Sequence, residues 1–335
     1  MGHNDRVSEP ADEFSYLRAQ ADDAGVELPL PHAERVSLTL PDGRTLSALR
    51  FAPADAPATA PVVTFLHGAG LNAHTWDTTI LALGLPALAI DLPGHGDSSW
   101  RDDAAYVAPV LAPDVAAALD AWTDRPQVLV GQSLGGLTAA AVAASRPDLV
   151  AQLVVVDITP GVDTSAGPAR LVEFFAGPAD WASRDELVER ALAFGLGGGT
   201  RRATERGVLF NSRVRADGRV EWKHHFAHLA REAAAAHTTD APAGPAASAG
   251  DAVSALLGES GWRDLAGVRA PLTLIRGSRG FVTESDAAEF ADRVPSASVL
   301  TLDAGHNVQE DLPLDLAARV RDITLPHTSA PPGTP

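Results

Sequence analysis

A serine with glycine two residues to either side, Gly131-Gln132-Ser133-Leu134-Gly135, lies between an apolar run and a small-residue helical pattern. Where a strand turns directly into a helix, the turning residue is forced into a strained backbone. Glycines two before and two after remove the side chains that would collide there. The hydroxyl is then lifted above the carboxyl edge of a sheet, at a helix N-terminus whose amides favour negative charge. A serine in that place could instead be an ordinary N-cap. To act as a nucleophile it needs a base, and the candidate is His306, between the strand-like run 296–302 and a final helical pattern at 311–323. The oxyanion of such a reaction needs two preorganised N–H donors. Leu134, directly after the serine, offers one; Ala69, in the loop after the strand that ends at His67-Gly68, offers the other.

Eleven histidines are present, and His67, His95, His224 and His225 compete with His306 as the base. His67 reads as a structural residue that ties its loop together. His95 lies in the Gly-rich turn 91–98, which lacks the helix-opening glycine order of a dinucleotide site. Asp157, which ends the run Val154-Val155-Val156, is a candidate acid to hold the imidazole. Glu284 and Asp286 compete with it, although both also read as first-turn acids that complement a helix dipole. Asp303 reads as an edge or turn residue.

These residues need a scaffold that brings distant segments to one edge. Continuous apolar runs at 62–68, 87–94, 127–133, 151–158 and 271–277 have the pattern of strands buried on both faces. Helical patterns at 112–122, 133–145 and 284–294 separate some of them, and a hairpin is expected at 36–51 around Pro41-Asp42-Gly43. The fold class is α/β, a mostly parallel, doubly wound sheet. Between about 161 and 261 no such strand occurs, which is too long for a loop and predicts an inserted helical cap. The resulting plan is an N-terminal extension at 1–33, a core at 34–160 and 262–325, a helical cap at 161–261 and a disordered tail at 326–335. The first thirty residues also read as disordered, and the low-complexity stretch 233–250 as mobile.

Composition excludes several classes. The 26 basic and 43 acidic residues give a formal charge of −17, and so acidic a field disfavours nucleic acid or an anionic membrane surface as partner. Zero cysteines exclude disulfides, thiolate metal sites and cysteine nucleophiles. No metal or cofactor is expected. The polar, acidic first ten residues lack the basic start and apolar run of a secretory signal, so the expected location is cytoplasmic.

Taken together, HGAG at 67–70, Trp76, DLPGHGDS at 91–98, GQSLGG at 131–136 and DAGHN at 303–307 resemble the α/β-hydrolase superfamily. The resemblance spans about 34–324 apart from the cap. It implies the α/β-hydrolase fold, an active site between core and cap, and a cofactor-free triad with Ser133 as nucleophile and His306 as base. Most members carry an aspartate shortly after the strand glycine that matches Gly277, but residues 276–282 hold no carboxylate. A minority, including small bacterial esterases with a VVDI-x-P segment similar to this one, takes the acid from the position of Asp157.

The activity implied is hydrolysis of carboxylic esters of small, largely apolar substrates. Lactone, amide, thioester or carbon–carbon hydrolysis and cofactor-free perhydrolysis use the same triad, and a ligand-binding receptor on this fold is the alternative outside enzymology. Dehalogenases and epoxide hydrolases of this fold are disfavoured, because they need an aspartate where Ser133 stands. Within the cap, Phe174, Phe175, Trp181, Phe194, Leu209, Phe210, Trp222 and Phe226 read as a cavity lining or as the cap's own core. The cluster Arg201, Arg202, Arg206, Arg213, Arg215 and Arg219 reads as a solvated face, with one arginine free to grip a substrate carboxylate as the sharper alternative.

Overall fold

The computed structural model describes residues 12–27, 29–162, 173–175, 177–178, 180–194, 199–229 and 261–325. Its centre is an eight-stranded sheet in the order β1-β2-β4-β3-β5-β6-β10-β11. These strands are β1 (His32–Thr39), β2 (Thr45–Ala52), β3 (Val63–Leu66), β4 (Ala87–Asp91), β5 (Gln127–Gln132), β6 (Val150–Val156), β10 (Leu272–Gly277) and β11 (Ser298–Leu302). From β4 to β11 every neighbouring pair is parallel, whereas β2 pairs antiparallel with both β1 and β4.

Alternation along the central strands explains their unbroken apolar runs. In β5, Val128 and Val130 enter one core while Leu129 enters the other; in β6, Val154 and Val156 oppose Leu153 and Val155 in the same way. One face is covered by α1 (Leu17–Ala24), α2 (Asp77–Leu83) and α9 (Pro313–Thr324), through Leu17, Ile80 and Leu316 among others. The other is covered by α3 (Ala108–Trp122), α4 (Leu134–Ser145), α7 (Gly261–Gly267) and α8 (Glu284–Arg293), which contribute Leu111, Leu137, Leu265 and Phe290. Parallel pairing sends β3, β5, β6, β10 and β11 out at one edge, so their following loops converge there.

Two expectations are corrected. The stretch between β6 and β10 is not purely helical: besides α5 (Arg184–Ala193) and α6 (Arg201–Asn211) it contains a three-stranded sheet of β7 (Asp180–Trp181), β8 (Ser212–Val214) and β9 (Val220–Trp222). Strands of two or three residues are too short to leave a periodic signal. The first thirty residues are not all disordered, because Glu13–Tyr16 forms a 3₁₀ turn leading into α1, and both pack on the core. The low-complexity stretch 233–250 and the tail 326–335 lie outside the described residues. Among the described residues no helix is long and apolar enough to cross a membrane.

Candidate active site

Ser133 follows β5 and heads α4 with φ 53° and ψ −122°, a left-handed backbone that L-residues avoid. It makes no side-chain cap bond, so the ordinary N-cap reading does not describe it. Glycine is required next to it. A Cβ on Gly135 would stand 2.3 Å from the Leu66 carbonyl oxygen, and one on Gly131 would stand 2.2 Å from that of Gly135. Ser133 and His306 line the same cavity, of about 600 Å³.

His306 lies on the loop after β11, with its side chain only 16% exposed. Its Nδ1 is 2.8 Å from Asp157 Oδ2. Asp157 follows β6, is fully buried and also carries a positive φ, of 49°. Its Oδ1 accepts from the Gly277 N–H at 2.9 Å and its Oδ2 from the Phe281 N–H at 2.6 Å. Two amides and an imidazole thus supply the partners that a buried carboxylate would otherwise lack. The Phe281 ring stacks on His306 with centroids 3.4 Å apart and planes 9° apart. The imidazole is thus fixed in direction by Asp157 and in plane by Phe281, leaving Nε2 as the ring nitrogen available to a substrate or to Ser133.

The competing acids lie elsewhere. Asp286 closes a capping box with Thr283 at the start of α8, and Glu284 is in the same first turn. Asp303 is exposed and bonds Ser278 and Arg279. The competing bases are also accounted for. His67 is buried, with Nδ1 2.8 Å from the Gly68 carbonyl and Nε2 accepting from the Leu92 N–H at 3.0 Å. Burial, only partly offset by the bond to Gly68, lowers its pKa to about 4. It is therefore a neutral brace between two loops. Burial and the neighbouring His67 lower His95 further, to about 3. His224 is buried on Phe175 and Trp222, while His225 approaches Tyr106 at 2.6 Å.

Of the two oxyanion candidates, Ala69 lines the cavity in the loop after β3, and Leu134 is the first residue of α4. The next glycine, Gly70, holds φ 77°, and its carbonyl accepts from the side chain of Asn211 in α6. That bond ties the cap to this loop. Phe174, Phe175, Phe194, Phe210 and Trp222 line the cavity, whereas Leu209 and Phe226 are buried without lining it and Trp181 is half-buried. Arg201, Arg202, Arg206, Arg213, Arg215 and Arg219 all pair with carboxylates; Arg206, which reaches the cavity, is held by Asp23.

A hydrogen-bond chain beside Ser133 and His306 was not foreseen from the sequence. Gln132 Nε2 donates to the His306 carbonyl at 3.2 Å, Asn307 Nδ2 donates to Glu310 Oε2 at 3.0 Å, and Thr75 Oγ1 donates to Glu310 Oε1 at 2.9 Å. Burial raises the Glu310 pKa against the bonds from Thr75 and Asn307. Its only sequence signal is adjacency, since Gln132 precedes the serine and Asn307 follows the histidine. Among the described residues no group of three or more His, Asp or Glu could hold a metal ion.

Residues 65–320 match the model of the alpha/beta hydrolase family. The chain is 36% identical over 321 residues to the esterase Rv0045c of Mycobacterium tuberculosis, covering 93% of this chain and 95% of that one. A structure of that esterase superposes with a TM-score of 0.73, over 93% of this chain and 98% of that one. The mouse sn-1-specific diacylglycerol lipase ABHD11 is 29% identical over 274 residues, 78% of this chain and 80% of that one.

Proposed function

The chain belongs to the alpha/beta hydrolase family and is a hydrolase of serine-esterase type; we propose that it cleaves carboxylic esters of small, largely apolar substrates through an acyl-enzyme on Ser133. The observation that carries this reading is the 2.8 Å contact of His306 Nδ1 with buried Asp157, behind the cavity that His306 and Ser133 both line. With Nδ1 donating to Asp157, Nε2 is the basic nitrogen. It accepts the Ser133 proton as Oγ bonds to the ester carbonyl carbon, and Asp157 stabilises the imidazolium that forms.

The carbonyl oxygen becomes an oxyanion, received by the amides of Ala69 and Leu134. Collapse of the tetrahedral intermediate breaks the bond to the alcohol oxygen, which leaves with the proton from His306. Water then repeats the sequence: it loses a proton to His306, attacks the acyl carbonyl, and releases the acid while Ser133 regains its proton. The aromatic cap wall supports an apolar acyl or alcohol portion. Wild-type protein should hydrolyse short p-nitrophenyl esters and be labelled at Ser133 by a fluorophosphonate, and Ser133→Ala should do neither. Folded protein that is inert to both reagents would overturn the proposal.

A further inference from the structure

The N-terminal segment, read from the sequence as an appendage, reaches the catalytic cavity. Helix α1 presents two stripes at the i, i+3, i+4 spacing of one helical face. Leu17 and Ala21 are buried in the core beneath the sheet, and Gln20, Asp23 and Ala24 line the cavity. The segment is fastened at several independent points. Glu13 accepts from Arg35 at 2.6 Å and lies 3.1 Å from His74 Nε2. His74 in turn stacks on Phe210 of α6, with ring centroids 3.8 Å apart. Tyr16 meets the same Phe210 edge-on, and Asp23 is 3.1 Å from both Arg202 and Arg206. Core, segment and cap are therefore joined at one wall.

Gln20, like Gln132, Asn211 and Gln309 of the same cavity, has a buried amide oxygen without a partner among the described residues, and of the four it is the one that α1 supplies. It is 6% exposed, it lines the cavity, and its Oε1 is buried with no hydrogen-bond partner among the described residues. An unpaired buried amide oxygen is costly, and at a cavity wall a ligand that brings a donor removes that cost. Leucine or methionine would fill the same volume without that cost.

We propose that α1 is part of the substrate-binding wall and that Gln20 is a specificity-determining residue, reading a hydrogen-bond donor, a hydroxyl or amide N–H, carried by the substrate away from its scissile ester. This rests on the assignment of Ser133 as nucleophile in the same cavity and deepens it by naming a substrate class: apolar esters with one remote donor. A site built around an amide hydrogen bond discriminates against the analogue that lacks the donor, because the amide is then left unpaired.

The test compares kcat/KM for p-nitrophenyl hexanoate and its 6-hydroxy analogue in wild-type, Gln20→Leu and Gln20→Met protein. Fluorophosphonate labelling of Ser133 and turnover of p-nitrophenyl acetate are measured alongside. The proposal expects wild-type protein to favour the hydroxylated ester, and either variant to shift the ratio by about tenfold or more toward the plain ester. Labelling reports whether Ser133 is still reactive in each variant, and acetate, too short to carry a remote donor, separates a general loss from a change in the ratio. An unchanged ratio in a variant that still labels overturns the role of Gln20, as does an equal loss on all three esters, which would mean that the residue only supports the fold. Two variants of different shape are used so that poor packing of one leaves the other as the test. Failure of wild-type protein to label at all would instead remove the hydrolase reading beneath the proposal.

Discussion

At the scale of single residues, the proposed role of Asp157 as triad acid rests on what surrounds its carboxylate. Its oxygens are already committed to the Gly277 and Phe281 amides and to His306, so an asparagine there must turn its NH2 toward at least one of these donors, whichever way the amide is oriented. Asp157→Asn leaves the ring in place but disfavours the tautomer with the proton on Nδ1. The expected result is a fall in kcat of about 10³- to 10⁴-fold with KM changed far less, measured by steady-state ester hydrolysis. Glu284→Gln and Asp286→Asn should retain activity near wild type, since Glu284 and Asp286 sit in the first turn of α8 and the Asp286 carboxylate is bonded to Thr283. If either of those variants loses activity while Asp157→Asn keeps it, the acid has been misassigned. Asp157 stands out in the sequence, beside its competitors Glu284 and Asp286, as the carboxylate that follows an apolar strand, and the structure sets it against His306. Phe281 and Glu310 do not, because ring stacking on His306 and bonding across 235 residues to Thr75 exist only once the chain has folded.

At the scale of elements, strands buried on both faces were legible because both cores demand apolar side chains from them. The positions of the helices that follow them came with the same signal. Short elements were not legible: α1 is eight residues with two buried apolar side chains, and its anchors Arg202 and Arg206 lie 179 and 183 residues from Asp23. Two glycines in helices show how the same residue type can serve opposite ends. In α4, a methyl on Gly135 would collide with the Leu66 and His67 carbonyl oxygens, backbone atoms that cannot swing aside. Gly135→Ala should lower Tm markedly and abolish Ser133 labelling in parallel. In α6, a methyl on Gly207 meets nothing within 4 Å, so only helix propensity changes. Gly207→Ala should stabilise by about 0.5–1 kcal/mol and raise Tm by about 1–3 °C in a calorimetric scan. A decrease in Tm for Gly207→Ala would mean that the glycine's freedom is used by the cap.

At the scale of the whole molecule, buried histidines set limits on both sides of neutrality. Burial opposes the charge on His74, but Asp77, through its charge and hydrogen bond, and Glu13 outweigh it and raise the pKa to about 9 from 6.5. A raised pKa favours the native state most below 6.5, and that contribution disappears as pH rises through about 9. Glu13 has the opposite sense. Burial raises its pKa, yet hydrogen bonds from His74 and Arg35 bring it down to about 2 from 4.5, so its contribution is complete above 4.5 and lost as pH falls toward 2. His67 and His95 remain neutral in the fold down to about 4 and about 3, while the unfolded chain binds protons below 6.5. Each of them therefore withdraws stability between 6.5 and its own native value, at up to about 1.4 kcal/mol per pH unit. Tm measured against pH should peak near 6.5 and decline on both sides. His95→Gln should flatten the acid limb, because its side chain has no proton to refuse. His74→Gln should flatten the alkaline limb between 6.5 and 9, and because His74 joins Glu13 to Phe210 it should also loosen the N-terminal wall of the cavity. Two limbs that keep their slopes in these variants would mean that other groups govern the pH response.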